Sequence, residues 1–146
     1  MLAMHLVLLL GISLGGASSA LAQRAYTPSP GSPERKIIMD AARVPVEAKL
    51  RKRIVFKVDH LRVESHWAFM TAMPQTPDGR LAYEGTEYEA GWRAGGVSDM
   101  VCILLHWVGD RWRVVAYVIG PSDVAWEGWD RKYDAPPAIF RDPKWR

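Results

Sequence analysis

The first element that the hydrophobic pattern predicts is a helix from Pro33 to Lys49. Ser32 is suited to cap its N-terminus, Pro33 fits the first helical position, and Glu34 complements the positive end of the helix dipole. Pro45 lies inside the pattern and predicts a kink or an interruption, because proline has no backbone N–H. Apolar residues recur at three- and four-residue steps and define one predicted buried face, which consists of Ile37, Ile38, Ala41, Val44 and Ala48.

Alternating apolar positions after the helix predict two strands. Residues 54–58 place apolar side chains on even positions, whereas Leu61 and Val63 place them on odd positions. A one-residue change of phase is typical of a β-bulge, which we place near Asp59 and His60.

The second strand and the segments after it follow from turn and loop signals. Residues 64–66 are predicted as the turn between the strands, and Trp67 then continues the odd phase. The composition of residues 73–79 predicts a long loop. Residues 81–96 predict a short helix, in which Thr86 and Glu89 have the spacing of a capping box.

The strongest predicted element is a hairpin over residues 99–119, with Gly109-Asp110 as its two-residue turn. Both of its faces are largely apolar. The sheet therefore needs cover on both sides, from the helix on one side and from another element or subunit on the other. The predicted cross-strand pairs, counted outward from the turn, are Val108–Arg111, Trp107–Trp112, His106–Arg113, Leu105–Val114, Leu104–Val115, Ile103–Ala116 and Cys102–Tyr117.

These elements predict one α+β domain over residues 33–146. An N-terminal helix packs on a curved antiparallel sheet, and an irregular aromatic C-terminal tail wraps that sheet. Residues 23–32 contain Pro28 and Pro30 and lead directly into Pro33, and they predict an extended linker.

The chain begins with the features of a secretory signal peptide over residues 1–22. An apolar run over residues 6–14 is followed by small residues that end in Ala-Leu-Ala, which predicts cleavage after Ala22. The run is too short to span a bilayer as an anchor. We therefore expect a periplasmic or secreted protein with no membrane anchor after cleavage.

Composition excludes several classes of protein. With 49% hydrophobic and 24% charged residues, the chain is globular rather than disordered, coiled-coil or collagen-like. The net charge of +3 is small and mixed in sign, so no nucleic-acid partner is predicted. Cys102 is the one cysteine and lies in an apolar run, which favours a small buried residue over a nucleophile.

No catalytic residue, metal ion or cofactor is assigned from the sequence. His60, His66 and His106 lack the spacing of metal ligands, and His60 and His66 flank a predicted turn where exposed polar residues are expected. The chain has no G-x-S-x-G motif and no glycine-rich phosphate loop. An acid–base pair is neither predicted nor excluded. Its candidate carboxylates are far apart in the sequence, and no pattern places any two of them together; they are Glu64, Glu84, Glu87, Asp99 and Asp123.

The chain is rich in tryptophan, with seven in all. Trp67, Trp107 and Trp112 lie in the apolar phase of strands, and we assign them to the core. Aromatic residues in less regular segments are candidates for a cleft that binds sugars or peptides, although packing of a small domain explains them more simply. These candidate ligand-binding residues are Tyr83, Tyr88, Trp92, Trp126, Trp129 and Tyr133.

The sequence YVIGPSDVAWEGW over residues 117–129 resembles a family of uncharacterised exported bacterial proteins. The helix over residues 33–49 and the hairpin over residues 109–115 resemble the same family. This resemblance implies no activity and no catalytic residue for the chain. The order of one helix followed by a curved sheet is more distantly similar to cystatin-like and nuclear-transport-factor-like folds. Those folds include enzymes, binding modules and inhibitors, so this similarity does not indicate a function.

The function that we expect is a non-enzymatic binding module of the bacterial cell envelope. Its partner would be an envelope protein or a cell-wall component, and a homodimer stays open. The alternative is a small enzyme or small-ligand carrier that uses a pocket between the helix and the sheet.

The signal-peptide prediction gives a defined mature N-terminus. Mass spectrometry of the exported protein should find Gln23 as its first residue, because Ala20-Leu21-Ala22 is the cleavage site. Soluble protein that retains Met1 would contradict export.

Overall fold

The computed structural model describes residues 24–142, so the predicted signal peptide and its cleavage site lie outside the described residues. The chain forms a four-stranded antiparallel sheet in the order β1-β2-β3-β4, and the sheet is not closed. This architecture confirms the predicted α+β class. The elements in chain order are α1 (Pro33–Leu50), β1 (Val55–Glu64), β2 (Trp67–Gln75), α2 (Glu89–Arg93), β3 (Val101–Val108), β4 (Arg111–Ile119), α3 (Trp129–Tyr133) and a 3₁₀ helix (Pro137–Phe140).

Helix α1 begins as predicted, where the Ser32 hydroxyl accepts a hydrogen bond from the Arg35 N–H at 3.2 Å. The helix continues through Pro45 to Leu50, so the predicted interruption does not occur. The predicted buried face is only partly correct: Ile38 is buried and Ala41 packs against the core, whereas Ile37, Val44 and Ala48 are exposed. The residues that face the sheet recur every fourth position and include the small Ala42, which lets the helix approach closely; they are Ile38, Ala42, Val46 and Leu50.

Strands β1 and β2 form the first hairpin. The predicted bulge is confirmed, since the register shifts between Val58 and His60. The predicted loop at residues 73–79 is wrong at its start, because β2 continues to Gln75. Strand β3 pairs with β2 only as far as Ala72. On that side Pro74 meets only an isolated bridge, where its carbonyl accepts from the Ala82 N–H at 2.9 Å, so the missing N–H of Pro74 breaks no strand ladder.

Strands β3 and β4 form the second hairpin around the predicted turn. Its pairs are confirmed from Val108–Arg111 through Leu105–Val114. A bulge then shifts the register, so the three predicted pairs beyond it are wrong: Leu104 lies opposite Ala116, Ile103 opposite Tyr117, and Cys102 opposite Val118. The bulge adds Val115 to β4, and it turns the apolar Ala116 and Val118 towards the second face of the sheet.

Both faces of the sheet are covered, as their apolar character requires. Helix α1 packs on one face, where Met70, Ile103 and Leu105 are fully buried. The segment that contains α3 and the 3₁₀ helix packs on the other face, so the predicted wrapping tail is a cover with two short helices. Phe69 lies at the centre of this second cluster, with ring centroids 4.7 Å from Phe140, 5.6 Å from Trp126 and 6.3 Å from Trp129.

Residues 81–96 contain the predicted short helix, α2, but not the predicted capping box. The N-cap residue is Tyr88, and its side chain makes no capping hydrogen bond. The Thr86 hydroxyl accepts from the Tyr88 N–H, and the Glu89 carboxylate accepts from the Gly85 N–H. These local bonds hold a turn before the helix rather than its first turn.

The residues before α1 lie along the outer edge of β1. Tyr26 and Val63 exchange two backbone hydrogen bonds, at 2.9 and 2.8 Å. The Arg35 guanidinium donates to the Pro28 carbonyl at 3.1 Å. Part of the segment predicted as a linker is therefore attached to both the sheet and the helix.

The buried position of Cys102 predicts an inert thiol. Its side chain is fully buried in the second cluster, and burial raises the pKa of the thiol to about 11. A thiol reagent at pH near 8 should therefore react at least about tenfold more slowly with the native protein than with the unfolded chain. Cys102→Ala should retain the fold in circular dichroism. Rapid labelling without denaturant would contradict the core assignment.

Candidate functional site

The six aromatic residues predicted from the sequence do not share one site. Tyr83, Tyr88 and Trp92 belong to the cluster under α1, whereas Trp126, Trp129 and Tyr133 belong to the cluster on the opposite face. Tyr83 is fully buried, and its hydroxyl donates to the Met100 carbonyl at 3.0 Å. The assignment of the six residues to ligand binding stays a prediction. Because three lie on one face of the sheet and three on the other, the six do not line one continuous cleft.

The three strand tryptophans lie further out than the sequence predicts. Trp67 and Trp112 are partly buried and pack against the edges of the two clusters. Trp107 is partly exposed and belongs to neither cluster, so its assignment to the core is wrong. It lies one residue from the end of β3, beyond the reach of either cover.

A groove lies at the end of the sheet where the turns of both hairpins meet, and we call it the hairpin groove. Its volume is about 490 Å³. The Trp107 N–H donates to the His66 carbonyl at 2.8 Å, which ties the first hairpin turn to β3. The residues that line it come from the segment before α1, from α1 and from both hairpins: Tyr26, Glu34, Ile37, Val63, Ser65, His66, Trp107 and Trp112.

The aromatic wall of the hairpin groove is a cross-strand tryptophan pair. Trp107 and Trp112 lie directly opposite each other on β3 and β4. Their ring centroids are 5.7 Å apart at an interplanar angle of 75°, which is an edge-to-face arrangement. Because both rings are only partly buried, they leave flat apolar surface for a ligand.

The polar side of the groove is organised by Tyr26 and Glu34. The Tyr26 hydroxyl donates to Glu34 Oε1 at 2.6 Å. Burial raises the pKa of Tyr26 to about 12, and the Glu34 carboxylate adds to this effect. Tyr26 is therefore neutral at physiological pH and orients the carboxylate. Among the described lining residues, Glu34 is the one carboxylate, and there is no Lys or Arg.

The turn that borders the groove holds two residues in an unfavourable backbone conformation. Ser65 and His66 have φ angles of 48° and 68°. Glycine and asparagine are preferred at such positions, whereas other L-residues are strained there. Strained backbone at a surface groove is an observation that points to function, because folding alone favours the unstrained residues.

The histidines among the described residues lie in different surroundings. The expectation that His60 is exposed is wrong: the bulge turns it inward, where its Nε2 lies 2.7 Å from the Ile139 carbonyl oxygen. The His106 ring stacks on Trp67 at 4.0 Å. Within residues 24–142, no group of three or more acidic, His or Cys side chains could hold a metal ion.

The carboxylates that the sequence left open are dispersed. Glu87 pairs with Lys49 on α1 at 2.7 Å, and Glu84 pairs with Arg80 at 3.0 Å. Glu64 lies at the turn end of β1, opposite Trp67. None of the five, Asp99 and Asp123 included, is among the lining residues of the hairpin groove, so an acid–base pair there has no second carboxylate from this group.

Comparisons with known proteins found no matching family model, no similar curated protein and no similar solved structure. In the part of the chain that the structure describes, no helix is long and apolar enough to cross a membrane. The site must therefore be interpreted from its own geometry.

Sequence reasoning did not assemble the hairpin groove, although two of its signals are present in the chain. Residues 64–66 predict a turn, and the chain has neither the glycine nor the asparagine there that such turns prefer. The Trp107–Trp112 pair was predicted beside the second turn. Aligning the two hairpins across β2 and β3 would have placed these signals together.

Proposed function

We propose that the chain is a non-enzymatic binding module of the bacterial cell envelope and that the hairpin groove binds its ligand. The observation that supports this most directly is the strained Ser65–His66 turn beside the partly exposed Trp107–Trp112 pair. Strain and exposed aromatic area both reduce stability, so their combination at one groove favours a binding role. The envelope location rests on the signal-peptide prediction.

The chemistry of the groove favours the glycan of a cell wall as the ligand. Flat indole surfaces pack against the apolar faces of sugar rings, and carboxylate, hydroxyl and imidazole groups hydrogen-bond their hydroxyls. Trp107 supplies the indole surface, and Glu34, Ser65 and His66 supply the carboxylate, hydroxyl and imidazole groups. The lining described above contains no cationic Lys or Arg side chain, which disfavours phosphates and other anions as the primary ligand.

The packing of α1 supports a binding module over the alternative of an enzyme or carrier with a pocket between helix and sheet. Ile38, Ala42 and Val46 are fully buried where the helix meets the sheet. Ile103 and Leu105 fill the facing strand positions without exposure. Side chains therefore fill the middle of the interface between helix and sheet along these residues, and the grooves that α1 borders lie at the margins of that interface.

The proposed function predicts that the protein binds isolated peptidoglycan through Trp107. In sedimentation assays with purified sacculi, Trp107→Ala should weaken binding at least about tenfold, because the exposed ring supplies contact area. The fold should persist, since Trp107 lies outside both core clusters.

Trp67→Ala is the matched control. Trp67 is also a partly buried strand tryptophan, but it packs against the cluster on the opposite face of the sheet and does not line the groove. It should leave peptidoglycan binding unchanged. Equal affinity of the wild type and Trp107→Ala, or no binding by either, would overturn the proposal.

A further inference from the structure

The two edges of the sheet differ in how they are protected. The β1 edge carries a bulge, and Tyr26 pairs with Val63 on its outer side. Strand β4 forms the other edge, and no strand among residues 24–142 pairs with its outer side. An open edge presents unpaired backbone N–H and C=O groups to another strand.

Exposed apolar side chains collect beside this open edge. Val44 on α1 is 68% exposed, and Val115 and Tyr117 on β4 are 38% and 39% exposed. All three line a groove of about 460 Å³ between α1 and β4, together with Pro45 and Trp112. The lining also includes Arg111 and Arg113, so the groove is largely but not wholly apolar. Such a groove next to an unpaired strand is suited to a partner that is itself an extended strand flanked by apolar groups.

We propose that β4 pairs antiparallel with β4 of a second copy of this chain, which joins the two sheets and places the two α1 helices side by side. The proposal does not depend on the ligand of the hairpin groove. A second copy matches the surface because it brings the same two features, an open strand and an exposed apolar helix flank.

The bulge in β4 selects the register of this pairing. Before Val115, even positions such as Trp112 face α1; after it, odd positions such as Tyr117 do. We place the two-fold axis of the dimer between Val114 and Val115. Trp112 then lies opposite the partner's Tyr117, so side chains on the α1 face of one sheet meet side chains on the α1 face of the other.

This register also separates the positive charges of the edge. Arg113 lies opposite the partner's Ala116, and Arg111 lies opposite the partner's Val118. Arg111 is neutralised by Asp110 within its own chain at 2.9 Å. Arginine on an edge strand disfavours pairing with unrelated strands. The charges of β4 therefore favour a second copy of this chain over an arbitrary extended strand.

Closure supports a dimer over a fibre. A two-fold pairing uses each β4 edge once and leaves only the β1 edges at the ends of the joined sheet. Those edges carry the bulge and the Tyr26 bridge described above, so the sheet does not extend further.

The proposal is tested by the mass of the purified protein in sedimentation equilibrium. The wild type should have the mass of a dimer at micromolar concentration. Val44→Lys and Val115→Lys should each weaken the dimer at least about tenfold, because a charge would enter the apolar interface. Val55→Lys is the matched control, since Val55 is an exposed valine on the β1 edge. It should leave the dimer unchanged.

Cross-linking gives an independent readout. Val115→Cys should form a covalent dimer with a short bifunctional thiol reagent, because both copies of residue 115 lie next to the two-fold axis. The wild type should not, since Cys102 is buried. A monomeric wild type at about 100 µM, or a dimer unaffected by both lysine variants that have kept their fold, would overturn the proposal.

Discussion

A sheet that is apolar on both faces imposes the main constraint on this fold. Strand β3 buries Ile103 and Leu105 against α1 on one face, and Cys102 and Leu104 against the C-terminal segment on the other. Neither cover is sufficient alone, because an uncovered face would leave large apolar area in water. The Phe69 ring shows how closely the second cover fits, with three aromatic neighbours from the C-terminal segment.

Covering both faces leaves the ends and edges of the sheet as its free surfaces. The two hairpin turns meet at one end, where Trp107 and His66 reach beyond the covers and form the hairpin groove. Strand β4 is the open edge, where Val115 is exposed beside α1. The two proposals therefore address different surfaces of one domain, and Trp112 lies between them because it lines both grooves.

Local signals in the sequence predicted the elements well, and long-range packing explains what they missed. The Ser32 cap, the bulge before His60 and the Gly109-Asp110 turn depend on neighbouring residues and were correct. The helix face and the outer pairs of β4 depend on which residues meet across the core, and one extra residue in β4 changed those pairs. The hairpin groove combines residues from the segment before α1, from α1 and from both hairpins, so no local pattern could define it.

The most direct test of the account is whether the strained Ser65–His66 turn is retained for binding. Ser65→Asn with His66→Gly installs the residues that this turn prefers, so the free energy of unfolding should rise by about 1 kcal/mol. The account predicts that the affinity of the same variant for peptidoglycan falls at least about tenfold, because the groove loses the His66 side chain. A variant that is more stable and binds as well as the wild type would contradict it.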